Sequence, residues 1–126
     1  MKNTYNIVKE IVESWKYKIL KDDGDNIIIL YQMNVVYICP YNDEIPFVSV
    51  LLTDFDELTE ENYSEVVMRC NELNERLKQI KFYAIDDGIN VTSEFFYMGK
   101  EDLKFQLKLA LNNLIEAKVI YQNLYG

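Results

Sequence analysis

The stretch KFYAIDDGINVTSEFFYM, residues 81–98, constrains the fold more than any other part of the chain. Two apolar and aromatic runs flank the dipeptide Asp87-Gly88, and a two-residue turn with glycine second is among the strongest short signals of a β-hairpin. The alternative is a catalytic carboxylate pair formed by Asp86 and Asp87. Such a pair needs a desolvated pocket, which a hairpin tip does not provide. We therefore predict a turn, in which Gly88 has a structural role.

Helical periodicity predicts three helices. Apolar residues recur at helical spacing from Tyr5 to Trp15, where the first helix ends. A second helix begins near Thr59, its predicted N-cap, and a long final helix runs from Lys100 to about Leu124.

Further strands are predicted between the first two helices. Runs of β-branched and aromatic residues cover 27–32, 35–40 and 46–55, with a turn at Met33-Asn34, and YKIL at 17–20 is a candidate short strand. Strands joined by short turns pair antiparallel. We therefore predict one α+β domain over residues 1–126, with the order α-β-β-β-α-β-β-α.

The charge of the chain limits which partners it can bind. The 126 residues include 13 Lys and Arg against 21 Asp and Glu, a formal net charge of −8, which repels nucleic acid and anionic lipid. No apolar stretch approaches the roughly 20 residues of a membrane span, and the first residues do not form a signal-peptide core. We expect a soluble cytoplasmic protein with neither a nucleic-acid nor a membrane partner.

The chain contains no histidine. This removes the usual general base, the commonest transition-metal ligand and the Cys-His and Ser-His pairs of nucleophilic catalysis. Cys39 and Cys70 lack CxxC spacing, so we expect reduced, buried, apolar residues and not a metal or redox site. No glycine-rich phosphate loop is present. We predict that the protein is not an enzyme and has no cofactor.

Two acidic segments are candidate sites with simpler interpretations. DDGDN, residues 22–26, lacks the ligand spacing of an EF-hand loop, so we predict a turn. Eight Asp and Glu residues lie between 43 and 65 with no Lys or Arg. They form either a docking patch for a basic partner or solvated loops, with Glu60 and Glu61 in the first turn of a helix, where the macrodipole favours negative charge. The second interpretation is favoured.

Asn74 lies one turn from Cys70 and Leu77, on or beside an apolar helix stripe. A buried amide at this position must find hydrogen-bond partners. We predict a structural bond to the backbone of the neighbouring hairpin in preference to a ligand contact.

The final helix carries more apolar surface than one sheet can cover. One stripe of this helix faces the sheet, whereas Phe105, Leu109 and Ile120 fall on other faces. These three residues need cover from another helix of the same chain or from another subunit. We predict that they bind protein, in a homodimer.

The segment NELNERLKQIKFYAIDDGINVTSEFFY resembles the YbjN-like family of bacterial sensory transduction regulators. The features that match are a helix ending in an Asn-containing stretch, a strand, a turn with glycine and a second strand: Asn71, Asn74, Phe82, Asp87-Gly88 and Val91. The resemblance implies a helix-flanked twisted antiparallel β-sheet, often dimeric, with the fold of the type III secretion chaperones. It implies no catalytic residues.

Two functions from different classes remain. The first is a non-enzymatic protein-binding module, chaperone-like or regulatory, with an unidentified protein partner. The second is a small-ligand sensor or carboxylate-based enzyme, which requires a pocket with convergent polar groups. An acid-lined concave pocket would favour the second, and a broad apolar surface would favour the first.

Overall fold

The described part of the chain forms three helices and six strands. The computed structural model describes residues 3–41, 44–53, 56–85 and 88–125. In chain order the elements are α1 (Asn3–Ser14), β1 (Lys18–Asp22), β2 (Ile27–Tyr31), β3 (Asn34–Pro40), β4 (Phe47–Leu52), α2 (Tyr63–Arg76), β5 (Lys81–Ile85), β6 (Gly88–Phe96) and α3 (Gly99–Tyr125). The predicted order is consistent with this structure, in which the YKIL run contributes to β1.

The six strands form one antiparallel sheet in the order β1-β2-β3-β4-β6-β5. Successive side chains of a strand point to opposite faces, so burial separates the two faces of this sheet. One face is buried under α1 and α3, and its central strands contribute fully buried residues to the core: Ile27, Ile29, Val36, Ile38, Val48, Val50, Ile89 and Val91. The predicted α+β architecture is therefore confirmed.

Helix α2 lies beside the edge strand β5. Its buried residues are Val66, Cys70 and Leu73, which join the core. The helix begins at Tyr63, so the prediction of Thr59 as its N-cap is wrong. Thr59 and Asn62 instead bond each other in the preceding turn: the Thr59 N–H donates to Asn62 Oδ1 (2.7 Å) and the Asn62 N–H to Thr59 Oγ1 (3.2 Å).

Two further predictions change with these boundaries. Glu60 and Glu61 lie in the turn before α2 instead of in its first turn, where the acidic residue is Glu65. The β2–β3 turn is Gln32-Met33, one residue earlier than predicted, because Tyr31 pairs with Asn34 across the hairpin. Local composition did not fix the register, which is set by burying Ile27 and Ile29 together with Val36 and Ile38 on one face.

The second predicted hairpin is formed by β5 and β6. Gly88 is the first residue of β6 and pairs with Ile85, so the prediction that it is the second residue of the turn is wrong; Asp86 and Asp87 lie outside the described residues. Gly88 is buried, and it also forms a bridge to Glu57 in the segment before α2. A glycine between two closely approaching backbone segments leaves little space for a side chain.

Candidate protein-binding surface

The second face of the sheet, which we name the open face, lies opposite α1 and α3. Strand alternation and register assign to it a set of apolar side chains that are half-buried or exposed: Ile28, Leu30, Val35, Tyr37, Cys39, Phe47, Leu51 and Phe96. The helix contacts run to the opposite face, where the core lies, or, for α2, to the edge strand β5. The open face is therefore a broad apolar surface.

One end of the open face carries a row of three aromatic rings. The ring centroids of Tyr41 and Phe47 are 4.9 Å apart, and those of Phe47 and Phe96 are 4.7 Å apart. Phe96 is 66% exposed and Tyr41 is 50% exposed. Aromatic residues, Phe and Tyr among them, are enriched at protein–protein interfaces.

Positive charge borders the open face along β1. Lys18 pairs with Leu30 and Lys21 pairs with Ile28, so both lysines share this face. At the other edge of the sheet, Lys81 forms an ion pair with Glu94 (Nζ to Oε1, 3.5 Å). The open face thus combines an apolar centre with a basic edge, although the chain as a whole is acidic.

Sequence reasoning missed the open face, although a signal was present. An antiparallel sheet with one solvated face shows alternation of apolar and polar residues. The strands IIILY and NVVYICP are instead nearly continuously apolar, and so is FVSVLL except for Ser49. Continuous apolar strands are typical of sheets covered on both faces.

The structure separates the three residues predicted on α3. Phe105 is 66% exposed and Leu109 is 37% exposed, so both stay uncovered. Ile120 is half-buried against the core and borders a small cavity of about 180 Å³ with Leu77 and Ile80. Of these three residues, only the two in the first half of the helix are exposed.

Asn74 bonds the edge strand of the sheet. Its Nδ2 donates to the carbonyl oxygen of Phe82 (2.8 Å), and the Phe82 N–H donates to Asn74 Oδ1 (2.6 Å). These bonds join the backbone of the neighbouring hairpin as predicted, although the residue as a whole is exposed and the expected burial of the amide is wrong. Its side chain takes the place of a neighbouring strand at this point of β5.

An acid-lined groove lies between α2 and the end of α3. Its walls include Glu65, Glu72, Glu75, Met68, Leu124 and Tyr125. Arg69 contacts Glu65 (2.6 Å) and Arg76 contacts Glu72 (3.6 Å), and both carboxylate side chains are more than half exposed. The paired and solvated carboxylates do not form the desolvated site that acid–base chemistry requires.

A buried tyrosine anchors the segment between β4 and α2. Tyr121 donates its hydroxyl hydrogen to Asp56 Oδ2 (2.5 Å). The pKa of Tyr121 is raised to about 12; burial is the larger cause, and this hydrogen bond is the second. Asp56 belongs to the acidic segment that the sequence offered as a docking patch, and here it has a structural partner; Asp43 and Asp54 of that segment lie outside the described residues.

The first two acids of DDGDN accept hydrogen bonds from the backbone of the turn, and Asp22 also contacts helix α1. Asp22 Oδ1 accepts from the Tyr5 hydroxyl (2.5 Å) and the Gly24 N–H (2.9 Å), and Lys9 lies 3.2 Å from Oδ2. Asp23 Oδ1 accepts from two backbone N–H groups that follow it. The pKa of Asp22 lies below its ordinary value, and the hydrogen bond from Tyr5 is the largest cause.

The two cysteines differ in their burial. Cys70 is buried as expected, but Cys39 is only half-buried because it lies on the open face; burial raises the pKa of both thiols. Among the described residues, no three His, Cys, Asp or Glu side chains cluster as a metal site would require. None of the described helices has the length and apolar content to cross a bilayer.

Solved structures share this fold. E. coli YbjN aligns with a TM-score of 0.72 and 7% identity, covering 94% of this chain and 91% of the other. The Yersinia pestis type III secretion chaperone SycH, solved with a fragment of YscM2, aligns with a TM-score of 0.62 and 15% identity over 94% and 98% of the two chains. A chain of the ExsC–ExsE complex aligns with a TM-score of 0.65 and 15% identity over 98% and 96%.

Sequence comparison supports the same grouping. No curated protein matches the chain in sequence. The family model described as "Putative bacterial sensory transduction regulator" matches residues 5–116, most of the chain. The chain therefore belongs to the YbjN family, and it has a fold that this family shares with type III secretion chaperones.

Proposed function

We propose that this protein is a non-enzymatic protein-binding module, chaperone-like or regulatory, that binds an apolar segment of another protein on its open face. The observation that carries the proposal is the uncovered apolar surface of the sheet, with its row of three aromatic rings. Contact of this surface with water is unfavourable in proportion to its apolar area, so a bound segment would gain free energy by covering it.

Two structural relatives support a protein as the ligand. SycH was solved with a fragment of YscM2, and ExsC with ExsE. Their identity to this chain is low, so they support the class of ligand and not the identity of a partner. We propose a cytoplasmic location for this protein, so that the ligand is a segment of another cytoplasmic protein.

Charge indicates the chemistry of the bound segment. Lys18 and Lys21 border the apolar centre of the open face along β1. Acidic residues beside an apolar stretch would be complementary to this edge, and the complementarity would add specificity more than affinity. We therefore expect an apolar segment flanked by Asp or Glu.

Matched variants test the proposal. Val35 on the open face is 45% exposed, and Val119 on α3 is 47% exposed, so Val35→Glu and Val119→Glu place the same charge at sites of equal exposure. Proteins that the immobilised parent retains from a native lysate are identified by mass spectrometry, purified and titrated by calorimetry. We expect Val35→Glu to weaken binding of the partner by at least about tenfold, and Val119→Glu to leave the affinity of the partner unchanged.

The result also discriminates the alternative function. Unchanged affinity in the open-face variant, with its thermal melt intact, would contradict the proposed surface. A small-ligand sensor or carboxylate-based enzyme would instead use the groove that carries Glu65, Glu72 and Glu75. In that case Glu72→Gln and Glu75→Gln would remove binding or activity, which we do not expect.

A further inference from the structure

The ammonium group of Lys108 lies among three aromatic rings. Its Nζ is 4.8 Å from the centroid of the Trp15 ring, 5.1 Å from that of Tyr17 and 5.8 Å from that of Tyr31. It also donates a hydrogen bond to the Tyr17 hydroxyl oxygen. A cation within about 6 Å of a ring centroid is attracted by the quadrupole of that ring, so three rings act on one charge. We name Trp15, Tyr17 and Tyr31 the aromatic cage.

The end of α1 places two walls of the cage. The Lys16 N–H donates to the Glu13 carbonyl (3.0 Å), and the Tyr17 N–H to the Val12 carbonyl (3.4 Å), while Lys16 has a left-handed φ of 61°. These two bonds and the left-handed residue form a Schellman motif, which ends the helix and turns the chain away from the helix axis. Trp15 and Tyr17, on either side of the reversal, bring their ring centroids to 5.6 Å of each other.

The third wall is fixed from α3. The Tyr31 hydroxyl donates to Asn112 Oδ1, and Asn112 is one helical turn after Lys108. Tyr31 packs edge-on against Tyr17, with centroids 5.2 Å apart. The rings therefore keep their arrangement through contacts with one another and with Asn112, and these contacts do not involve the ammonium of Lys108.

We propose that the aromatic cage is a binding site for alkylammonium groups, which Lys108 fills as an intramolecular occupant that an external alkylammonium ion displaces. Trp15 and Tyr17 are half-buried and Lys108 is exposed, so the cage opens to solvent on the lysine side. The lysine stem is flexible, so its ammonium can leave without movement of the backbone. Aromatic rings around a cation are the arrangement that recognises quaternary ammonium and methylated lysine groups.

Electrostatics favours cations as the ligand class. The net charge of −8 raises the local concentration of cations near the protein. The negative faces of the three rings exclude anions. While Lys108 fills the cage, an external cation can bind only during the fraction of time that the cage is empty, and its apparent affinity is reduced by that fraction. Removal of the Lys108 ammonium should therefore restore the intrinsic affinity of the cage for the external cation.

Fluorescence titration with tetramethylammonium chloride tests the proposal, with sodium chloride at equal ionic strength as the blank. Trp15 is the only tryptophan of the chain, so its emission reports the cage alone. Lys108→Met removes the ammonium and keeps an apolar stem. We expect a saturable change in Trp15 emission for Lys108→Met, with an affinity at least about tenfold higher than that of the parent.

Control variants separate the cage from general charge effects. Lys104→Met removes a charge one turn earlier on the exposed side of α3 and should behave as the parent does. Lys108→Met with Tyr17→Leu removes one wall and should lose the saturable response. Lys108→Gln repeats the test should the methionine variant lower the melting temperature below the assay temperature. No saturable response in either Lys108 variant would overturn the proposal.

A second readout uses the parent chain. The ε-methylene protons of Lys108 should have upfield NMR shifts caused by the rings, and tetramethylammonium should return them toward ordinary values. A titration with Nα-acetyl-lysine methylamide then distinguishes a lysine side chain from a small quaternary ammonium compound as the source of the ligand. Unchanged Lys108 shifts at probe concentrations that saturate the Trp15 response of the parent would also overturn the proposal.

Discussion

Asn74 closes an edge of the sheet with a single side chain. Edge strands present unpaired backbone groups that can recruit another strand, and proteins commonly cover or interrupt them. The amide of Asn74 bonds both the N–H and the carbonyl of Phe82 on β5. The opposite edge strand, β1, carries an irregularity between Ile19 and Lys21 and exposed lysines, which are further means of limiting edge pairing.

Asn74→Leu should destabilise the fold although it adds an apolar group. The substitution removes two hydrogen bonds to the backbone of Phe82, whose side chain is buried, and the expected loss is about 1–3 kcal/mol. Urea unfolding measures this loss. Asn71→Leu, at an exposed position one turn earlier on α2, is the control and should change the unfolding free energy by less than about 0.5 kcal/mol. Equal stability of both variants would contradict a structural role for Asn74.

Tyr121 makes stability depend on pH in the alkaline range. Its pKa is about 12 in the folded protein and about 10 in an unfolded chain, so the folded state holds the proton more tightly. The corresponding stabilisation is complete below about pH 10 and is lost as pH rises from about 10 to 12.

Tyr121→Phe should therefore flatten the alkaline decline of stability. Urea midpoints measured in steps from neutral pH to about pH 11 should fall more steeply in the parent than in this variant. The other nine of the ten tyrosines contribute to both curves, so Tyr41→Phe, at a half-exposed position, is the control and should follow the parent. Parallel curves for the parent and Tyr121→Phe would contradict the assignment.

At the scale of elements, the β2–β3 hairpin has a strained turn. Gln32 has φ of 48° and Met33 has φ of 67°, which is the pattern of a type I′ turn with two residues in the left-handed region. Asn and Gly favour these positions, whereas the longer side chains cost roughly 1–2 kcal/mol each. Asn34 donates to the Gln32 carbonyl (2.8 Å), and Lys118 on α3 donates to Asn34 (2.7 Å), which holds the turn in place.

Gln32→Asn with Met33→Gly should raise the thermal stability. The expected gain is about 1 kcal/mol, or roughly 3–6 °C in Tm, since the new residues adopt positive φ readily. Met33 is 88% exposed, so its loss removes little packing. Met98→Gly is the matched control because Met98 is equally exposed and is not among the residues with positive φ; it should not stabilise the fold. A lower Tm for the turn variant would contradict the claim that Gln32 and Met33 strain the turn.

At the scale of the whole molecule, the described residues leave apolar surface uncovered on two sides of the sheet. The open face lies on one side of the sheet, and Phe105 and Leu109 lie on α3, which packs against the other side. The two surfaces can therefore serve different partners at the same time. We propose that the open face binds a protein segment and that the α3 surface binds a second copy of the chain, because two-fold dimers are the commonest way to cover such a patch.

Light scattering tests the homodimer. The parent at micromolar concentration should have a mass near twice 15.0 kDa, and Phe105→Glu with Leu109→Glu should shift it toward the monomer. Phe96→Glu is the matched control, because Phe96 and Phe105 are both 66% exposed but lie on different sides of the sheet. A monomeric parent throughout that concentration range would contradict the dimer and leave the α3 surface for a different protein.

The elements were predictable because their signals are local. Helical spacing located α1 and α3 to within a few residues, and the Asp-Gly dipeptide located the β5–β6 hairpin but placed its turn too late, because Gly88 already pairs with Ile85. The predicted start of α2 and the predicted β2–β3 turn were each displaced from their positions in the structure. Asn62 defines the start of α2 and the Tyr31–Asn34 pair defines the turn, and both depend on contacts with neighbouring segments. Boundaries are the part of a prediction most sensitive to such context.

The sequence by itself determined the fold class, the acidic charge, the lack of histidine chemistry and the surplus of apolar residues on the last helix. Only the tertiary structure decided which face of the sheet the helices cover, that Phe105 stays exposed while Ile120 does not, and that Lys108 meets Trp15, more than 90 residues away in sequence. The physical reason is that periodicity records which residues share a face within one element. Which faces then meet depends on strand order and helix docking, and these arise from contacts between residues far apart in the chain.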